Sequence, residues 1–209
     1  MKREEKREKS RSAIVGAAKR AFAARGYDGV TLNGLCRENG ISKGQFYHYF
    51  TSREDLYRAC CESAFSAFAE FMENRAELRG DYRESLRGYV RARSEFFARE
   101  VGDGRFVLSA FSEVSPEAKE ASASGRERLD SFNRRFFGEM LSSCRLREGI
   151  TTEKALAYLA LAREMYYFSR RERPLGTDVS CEDGRTAGEI LEIVVNGIVE
   201  REESCGSIC

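Results

Sequence analysis

Several features of enzymes, secreted proteins and membrane proteins are scarce or absent in this sequence. Its 209 residues include two prolines, no tryptophan and a single histidine, His48. No run of about 18 apolar residues occurs, and the first residues, MKREEKREKSR, are charged, so neither a membrane-spanning helix nor a secretory signal is predicted. With one histidine, no glycine-rich phosphate loop and no metal-ligand motif, we expect no enzymatic activity, no metal and no cofactor.

The seven cysteines form no metal-binding pattern. They lack paired Cys-x-x-Cys elements and companion histidines, and they are Cys36, Cys60, Cys61, Cys144, Cys181, Cys205 and Cys209. On a helix, the adjacent Cys60 and Cys61 would point about 100° apart, which disfavours a bond between them. We therefore expect reduced thiols in a cytoplasmic protein, with a thiol redox sensor as the alternative.

The hydrophobic pattern is helical throughout, without strand alternation. Helices are predicted at about 3–25, 31–39, 42–49, 52–76, 80–100, 104–113, 116–145, 151–172 and 183–203. The breaks fall at residues that end or begin helices, including Gly26, Gly40 and the stretch 102–104. The predicted fold is all-α.

Residues 31–50, TLNGLCRENGISKGQFYHYF, predict two short helices joined by a glycine turn. The hydroxyls of Thr31 and Ser42 can cap exposed N–H groups at the start of each helix. Gly40 suits the end of the first helix because glycine adopts positive φ without a steric cost. The segment therefore predicts a helix-turn-helix.

The second of these helices has an apolar and a polar side. A helical period turns Phe46 and Phe50 to one side and leaves other groups available to a partner: Lys43, Gln45, Tyr47 and His48. A short helix that offers such groups suits the major groove of DNA. The alternative is a small helical hairpin within an all-helical core.

The surrounding sequence supplies further motifs in a fixed order. They are Ala17-Ala18, Ala21-Phe22, Gly26-Tyr27, Thr31, Gly40-Ile41-Ser42-Lys43-Gly44, Tyr47-His48-Tyr49-Phe50 and Ser52-Arg53-Glu54. From Ile14 to Tyr57 this order resembles the DNA-binding domain of the TetR/AcrR family of transcriptional regulators. The resemblance implies a three-helix DNA-binding domain at residues 1–51 and a helical ligand-binding and dimerisation domain at residues 52–209.

The resemblance also implies a role for individual residues on DNA. Phosphate contacts are implied for Thr31, Tyr47, His48 and Arg53, a helix cap and a phosphate contact for Ser42, base edges or nearby phosphates for Lys43 and Gln45, and close approach for Gly44.

Three positions depart from the family pattern. Gln45 replaces a small residue, and glutamine can pair with the edge of adenine, so it is predicted to influence sequence preference. Gly34 lies inside the first helix, where glycine costs about 1 kcal/mol relative to alanine, so slight fraying is expected. Asn39 replaces a typical alanine before the turn.

The charges are divided between the two parts of the chain. Residues 1–58 carry 13 Lys and Arg against 7 Asp and Glu, whereas the remaining residues carry 22 against 27. Because basic side chains supply the sequence-independent part of DNA affinity, this asymmetry agrees with the motif.

Aromatic residues are concentrated in the middle of the chain, where 16 of the 23 lie between residues 60 and 175. Aromatic walls with a few polar groups often line small-molecule pockets, although most such rings are ordinary core. The resemblance places a pocket between the fourth and eighth helices, for which the candidates are Phe68, Tyr89, Phe96, Phe111, Phe136 and Tyr166, with Glu113 or Glu164 as polar anchors.

The last two helices have broader apolar faces than a surface helix needs. In the TetR family the final two helices form a four-helix dimer interface, and the candidates here are Leu156, Leu159, Ile190, Val194 and Ile198. Burial within their own subunit is the alternative.

Together these features predict a cytoplasmic repressor that binds a pseudo-palindromic double-stranded DNA operator as a homodimer, without a membrane partner, and is released by a small hydrophobic or aromatic effector. The alternative is a DNA-binding regulator that answers instead to a protein partner or to thiol oxidation.

Overall fold

The computed structural model describes residues 3–169 and 181–200, and within these ranges the regular structure is helical. The helices in chain order are α1 (Arg3–Arg25), α2 (Leu32–Glu38), α3 (Lys43–Tyr49), α4 (Arg53–Arg75), α5 (Tyr82–Arg99), α6 (Val101–Phe111), α7 (Pro116–Ser142), α8 (Thr152–Ser169) and α9 (Cys181–Ile198). The all-α prediction is confirmed. None of these described helices is long and apolar enough to cross a membrane.

The break predicted at residues 102–104 lies earlier, at Glu100, because α6 already begins at Val101. The N–H of Gly104 donates to the carbonyl of Glu100 over 2.6 Å, so the glycines continue the helix. A Cβ at Gly104 would lie 3.0 Å from Cδ1 of Phe97. This glycine therefore permits close packing of α6 on α5 instead of ending a helix.

The seventh and ninth helices end earlier than predicted, at Ser142 and Ile198. The segment after α7 pairs with the end of α9: the N–H of Arg147 donates to the carbonyl of Ile198, and the N–H of Glu200 donates to the carbonyl of Arg145, each over 2.9 Å. These bonds satisfy backbone groups that a longer helix would otherwise have paired internally. The predicted end of the eighth helix, at 172, lies outside the described residues.

One continuous core joins the first helices to the rest of the chain. The buried ring of Tyr57 on α4 packs edge-on against Phe22 of α1 and against Tyr27, in both cases at 4.9 Å between ring centres. It also contacts Phe106 of α6 at 5.6 Å. The N-terminal helices are thus supported by side chains from α4 and α6.

The helices α4 and α7 approach each other closely at Gly125. A Cβ at this position would lie 2.8 Å from the carbonyl carbon of Cys61 and 2.9 Å from the backbone nitrogen of Glu62. Because both of these are backbone atoms of α4, they cannot turn aside as a flexible side chain would.

Candidate nucleic-acid interface and effector region

The start of α2 is capped as predicted. Oγ1 of Thr31 accepts a hydrogen bond from the N–H of Gly34 over 3.1 Å. Gly34 therefore lies in the first turn of α2, where its N–H is part of the cap. The hydroxyl hydrogen of the exposed Thr31 is not needed for this bond and can be donated to a phosphate.

The turn between α2 and α3 also has the predicted geometry. Gly40 adopts φ of +64°, and the N–H of Ile41 donates to the carbonyl of Cys36 over 2.9 Å. The side chain of Asn39 donates to the carbonyl of Leu35, also over 2.9 Å. The same carbonyl accepts a bond from the backbone N–H of Asn39 over 3.2 Å, so the side chain adds a second hydrogen bond at the end of α2.

The helix α3 has a buried and an exposed side. Oγ of Ser42 accepts a hydrogen bond from the N–H of Gln45 over 3.0 Å, which confirms the cap. Phe46 and Phe50 are 1% and 2% exposed, and they anchor the helix from beneath. Tyr47 lies on the outer side and is 59% exposed.

The outer side of α3 collects the residues predicted to contact DNA. The exposed members are Ser42, Lys43, Gly44, Gln45, Tyr47 and His48. No atom lies within 4 Å of the position that a Cβ on Gly44 would occupy, so a flat surface can approach the backbone there. This group of residues is called the α3 face below.

Arg53 is placed differently from the α3 face. Its guanidinium lies 4.1 Å from the ring centre of Tyr27 and donates to the carbonyls of Tyr27 and Val30 over 3.3 and 3.4 Å. It also lies 3.7 Å from the carboxylate of Asp28. These contacts hold the start of α4 against the turn that follows α1.

A cleft beside the α3 face involves residues that the sequence analysis did not select. It is lined by Glu4, Lys6, Arg7, Ser10, His48 and Tyr49. Because α1 begins at Arg3, its first turns carry Lys6 and Arg7 to the same edge as His48. The basic residues of the N-terminal sequence could have indicated Lys6 and Arg7 as candidates. Their place beside His48 depends on how far α1 extends at its N-terminus.

The six aromatic pocket candidates fall into three groups. Phe68 and Phe96 stack at 4.5 Å between ring centres and are both buried. Tyr89 lies 5.3 Å from Phe136, and its hydroxyl donates to Oδ1 of the buried Asn133 over 2.8 Å.

In the third group, Phe111 of α6 packs against the buried Tyr166 of α8. This pair lies beside two arginines that the sequence analysis did not select. The guanidinium of Arg93 is 5.3 Å from the ring centre of Tyr166, and that of Arg126 is 4.6 Å from the ring centre of Phe111. Both could have been selected from the sequence, because each is a charged residue at a helix position that faces the interior.

The two candidate polar anchors lie apart. Glu164 is exposed on α8. Oε2 of Glu113 accepts a hydrogen bond from the N–H of Tyr27 over 2.9 Å, and Oε1 accepts one from the N–H of Val114 over 2.9 Å. The carboxylate of Glu113 therefore bridges the turn after α1 to the turn after α6.

Two further contacts join α1 to α6. Lys19 forms a salt bridge with Asp103 that is largely shielded from solvent. Oγ of Ser109 donates to the carbonyl of Phe22 over 3.3 Å. A displacement of α6 would therefore be transmitted directly to α1.

Replacing Glu113 by glutamine is expected to lower the free energy of unfolding by about 1–2 kcal/mol. Glutamine retains one acceptor oxygen, so the N–H of Tyr27 or those after α6 lose their partner in a half-buried place. Urea denaturation would measure this loss. Glu120→Gln, exposed on α7, is the matched control and is expected to change stability by less than about 0.5 kcal/mol; equal effects would contradict the bridging role.

The five residues predicted to form the dimer interface are largely buried within the subunit itself. Leu159 and Ile198 are 0% and 2% exposed, and half-buried positions are taken by Leu156, Ile190 and Val194. Among the described side chains of α8 and α9, the exposed large apolar ones are Tyr158, Leu161, Met165 and Ile193. The three on α8 are three and four residues apart, so they line one face of the helix. These four residues are called the α8–α9 face below.

The four described cysteines are free and poorly suited to oxidation. Cys36, Cys60 and Cys61 are buried, and Cys144 is half-buried. Burial raises the pKa of the Cys61 thiol to about 12 and raises the pKa of Cys60 as well. Both therefore remain protonated at neutral pH, and the thiolate is the reactive form. The other three cysteines lie outside the residues whose side chains are described.

No group of three or more histidine, cysteine or acidic side chains within the described part of the chain could hold a metal ion.

The capped helix pair with its exposed α3 face, supported by further helices, defines an all-helical helix-turn-helix protein. Residues 14–60 match the sequence profile of the "Bacterial regulatory proteins, tetR family". Over 59 residues the chain is 32% identical to IcaR of Staphylococcus epidermidis, a negative transcriptional regulator of a biofilm operon, which covers 28% of this chain and 32% of that protein. Over 61 residues it is 36% identical to the repressor AcnR of Corynebacterium glutamicum, which covers 29% and 32%.

A solved structure extends the likeness over the whole fold. The regulator FadR of Bacillus subtilis, crystallised with stearoyl-CoA, superposes with a TM-score of 0.69 at 17% identity, over 90% of this chain and 98% of that one. By sequence, the match spans about a third of the length of the curated relatives. The match to TetR-family regulators by sequence is thus confined to the N-terminal part of the chain, and the likeness to solved structures covers the fold.

Proposed function

We propose that this protein is a transcriptional repressor that binds a pseudo-palindromic operator as a homodimer and leaves it when a small molecule binds. The observation that carries the proposal is the α3 face, a set of exposed polar and aromatic side chains on a helix held from beneath by Phe46 and Phe50. Repressor relatives such as IcaR and AcnR support the direction of control.

On DNA, α3 would enter the major groove and α2 would cross the backbone. Lys43 and Gln45 lie in its first turn, where the recognition helix of such motifs contacts base edges. The exposed hydroxyls of Thr31, Ser42 and Tyr47 can donate to phosphates. Arg53 is assigned mainly to holding the start of α4 in position, because its guanidinium already donates to carbonyls of the turn after α1.

Two basic residues near the start of α1 extend this contact. Lys6 and Arg7 beside His48 would neutralise phosphates next to those held by α3. Each such contact adds affinity for any sequence and makes binding more sensitive to salt.

Tyr47→Ala is expected to weaken binding to all DNA sequences by about 10-fold, whereas Gln45→Ala changes preference among sequences. Tyr47 is assigned to a phosphate, and an amide at Gln45 would discriminate adenine from other bases by about 1–3 kcal/mol. Bound duplexes would be selected from a random library. Titration of the selected duplexes and of their single-base variants would then measure both effects.

Asn74→Ala, at the far end of α4, is the control for this experiment, because it removes an exposed amide away from the α3 face. An equal loss for Gln45→Ala on every duplex would refute its role in preference. If the library yields no enriched pseudo-palindrome, the operator proposal itself is wrong.

The α8–α9 face is proposed as the dimer interface. Exposed apolar side chains on two adjacent helices are common at subunit interfaces, and the isologous contact of two copies would cover both faces at once. Two α3 helices related by a two-fold axis would then enter major grooves about 34–36 Å apart or somewhat more.

The effector is proposed to bind near Phe111 and Tyr166 and to change the spacing of the two α3 helices. The route is short, because α6 carries Phe111 and is joined to α1 through Glu113 and Asp103. A ligand that prefers one position of α6 would shift operator affinity by a coupling of about 1–3 kcal/mol. The stearoyl-CoA bound by FadR supports a small-molecule effector in this fold.

A further inference from the structure

Arg126 of α7 is a cation that lies against two contacting aromatic rings, which come from two other helices. Its guanidinium carbon lies 4.6 Å from the ring centre of Phe111 on α6 and 5.6 Å from that of Phe65 on α4. One terminal nitrogen, Nη2, donates to the carbonyl of Ala110 over 3.0 Å. Its Nε is buried and has no hydrogen-bond partner in the part of the chain that the structure describes.

Part of this arrangement has a structural explanation. The carbonyl of Ala110 belongs to the last turn of α6, where a cation stabilises the helix end. That role accounts for one N–H of the guanidinium. It leaves unexplained the buried Nε, because a donor removed from water without a partner is destabilising.

The comparison with Arg128 on the same helix is informative. Arg128 forms an ion pair with Glu73 over 2.6 Å at the surface. Among the described residues, no carboxylate forms an ion pair with Arg126. Within the described ranges, the groups that contact its charge are the two ring faces and one carbonyl.

Beside Arg126 lies the apolar cluster near which the effector is proposed to bind. Phe111 packs against Tyr166, together with Leu108 and Ile190. A ligand seated against these side chains would have Arg126 as a donor at its edge, and the low local dielectric would favour an acceptor with negative charge.

We propose that the effector is an amphipathic anion, whose carboxylate or phosphate is bound by Arg126 and whose apolar body lies against Phe111 and Tyr166. This inference rests on the effector site in the proposed function and specifies its ligand class. A charge-assisted hydrogen bond from a buried guanidinium is worth about 10- to 100-fold in affinity over a neutral ligand of the same shape. Neutral analogues would leave Nε unpaired.

Displacement of a neutral fluorescent reporter from the full-length protein would test the proposal. N-phenyl-1-naphthylamine serves as the reporter, and decanoate, decyl phosphate and decan-1-ol compete for its place. Decanoate or decyl phosphate is expected to displace it at concentrations at least about 10-fold lower than decanol. Which of the two anions is stronger distinguishes a carboxylate from a phosphate ligand.

Variants separate the charge of Arg126 from its packing. Arg126→Met is expected to abolish the advantage of the anions and to leave displacement by decanol within about 2-fold, because methionine keeps apolar contacts. Arg126→Lys keeps the charge without the fork of donors, so an intermediate advantage is expected. Arg128→Met, which removes an exposed arginine from the same helix, is expected to behave as the wild type.

Two results would overturn the inference. One is equal displacement by decanol and both anions in the wild type, and the other is an undiminished anion advantage in Arg126→Met. If Arg126→Met does not fold, the wild-type comparison together with Arg126→Lys decides. If the reporter does not bind and none of the three compounds shifts the thermal unfolding of the wild type, the effector site itself is wrong, a different failure from loss of anion preference alone.

Discussion

Replacing Leu161 and Met165 together by glutamate is expected to convert the proposed dimer into a folded monomer. These side chains are 54% and 71% exposed on one face of α8, so glutamate is tolerated in the isolated subunit. In an isologous interface each substitution appears twice, and four carboxylates would be buried without partners. Dimer affinity is expected to fall by at least about 100-fold. Sedimentation equilibrium would measure it, and circular dichroism would verify that the helices remain.

Loss of the dimer is expected to reduce operator affinity as well. In a dimer, binding of the first α3 helix holds the second near its half-site, which raises its effective concentration. A monomer lacks that advantage and must bind each half-site separately. Operator affinity of the double variant is therefore expected to fall by about 100-fold or more, whereas affinity for a single half-site remains close to that of the wild type.

Leu78→Glu provides the control, because Leu78 is an exposed leucine between α4 and α5, away from the α8–α9 face. It is expected to leave both assembly and operator binding unchanged. A Leu161→Glu, Met165→Glu variant that remains dimeric would place the interface elsewhere. A monomer with full operator affinity would instead show that two linked α3 helices are not needed for binding.

The helix-turn-helix was readable from sequence because its determinants are local. Thr31, Gly40 and Ser42 act within three to five residues along the chain, through caps and a positive φ. The buried Phe46 and Phe50 and the exposed Tyr47 follow from helical period alone. Such features depend little on how distant helices pack, so a single sequence is sufficient to predict them.

The residues of the effector region could be predicted only in part from the sequence, because they come together through tertiary packing. An aromatic composition predicts rings near one another, but it does not tell which pairs fill the core and which remain beside a cation. Arg126 approaches Phe65 and Phe111 from a third helix, and the helical period of α7 alone gives no sign of those partners. Glu113 was selected as a ligand anchor, but its carboxylate is bonded to the backbone of Tyr27 and Val114.

The dimer candidates show a similar limit of the hydrophobic pattern. Both Leu159 and Leu161 are apolar residues of α8, yet the first is fully buried in the subunit and the second is largely exposed. A helix with apolar residues on two sides reveals that two contacts exist. Which side meets the subunit core depends on the rotation of the helix, which is set by packing against its neighbours.

Gly125→Ala is expected to lower the free energy of unfolding by about 1–3 kcal/mol, although alanine is the better helix former. A Cβ there would meet three backbone atoms of Cys61 and Glu62 at 2.8 to 3.0 Å, so α4 and α7 must separate. Gly138→Ala on the same helix is the matched control, because nothing lies within 4 Å of its Cβ position. It is expected to stabilise the protein by about 0.5–1 kcal/mol.

Chemical denaturation at one fixed protein concentration would compare the two alanine variants, since the proposed dimerisation would make apparent stability depend on concentration. The separation of α4 from α7 is expected to displace the DNA-binding helices as well. The reason is that α4 begins at Arg53, which holds the turn after α1, and continues past the contact with Gly125. Operator affinity is therefore expected to fall for Gly125→Ala at temperatures where the variant is fully folded, and to remain unchanged for Gly138→Ala. Equal stability of the two variants would show that α4 and α7 yield easily at this contact, and α4 would then be a poor transmitter of movement between effector and DNA.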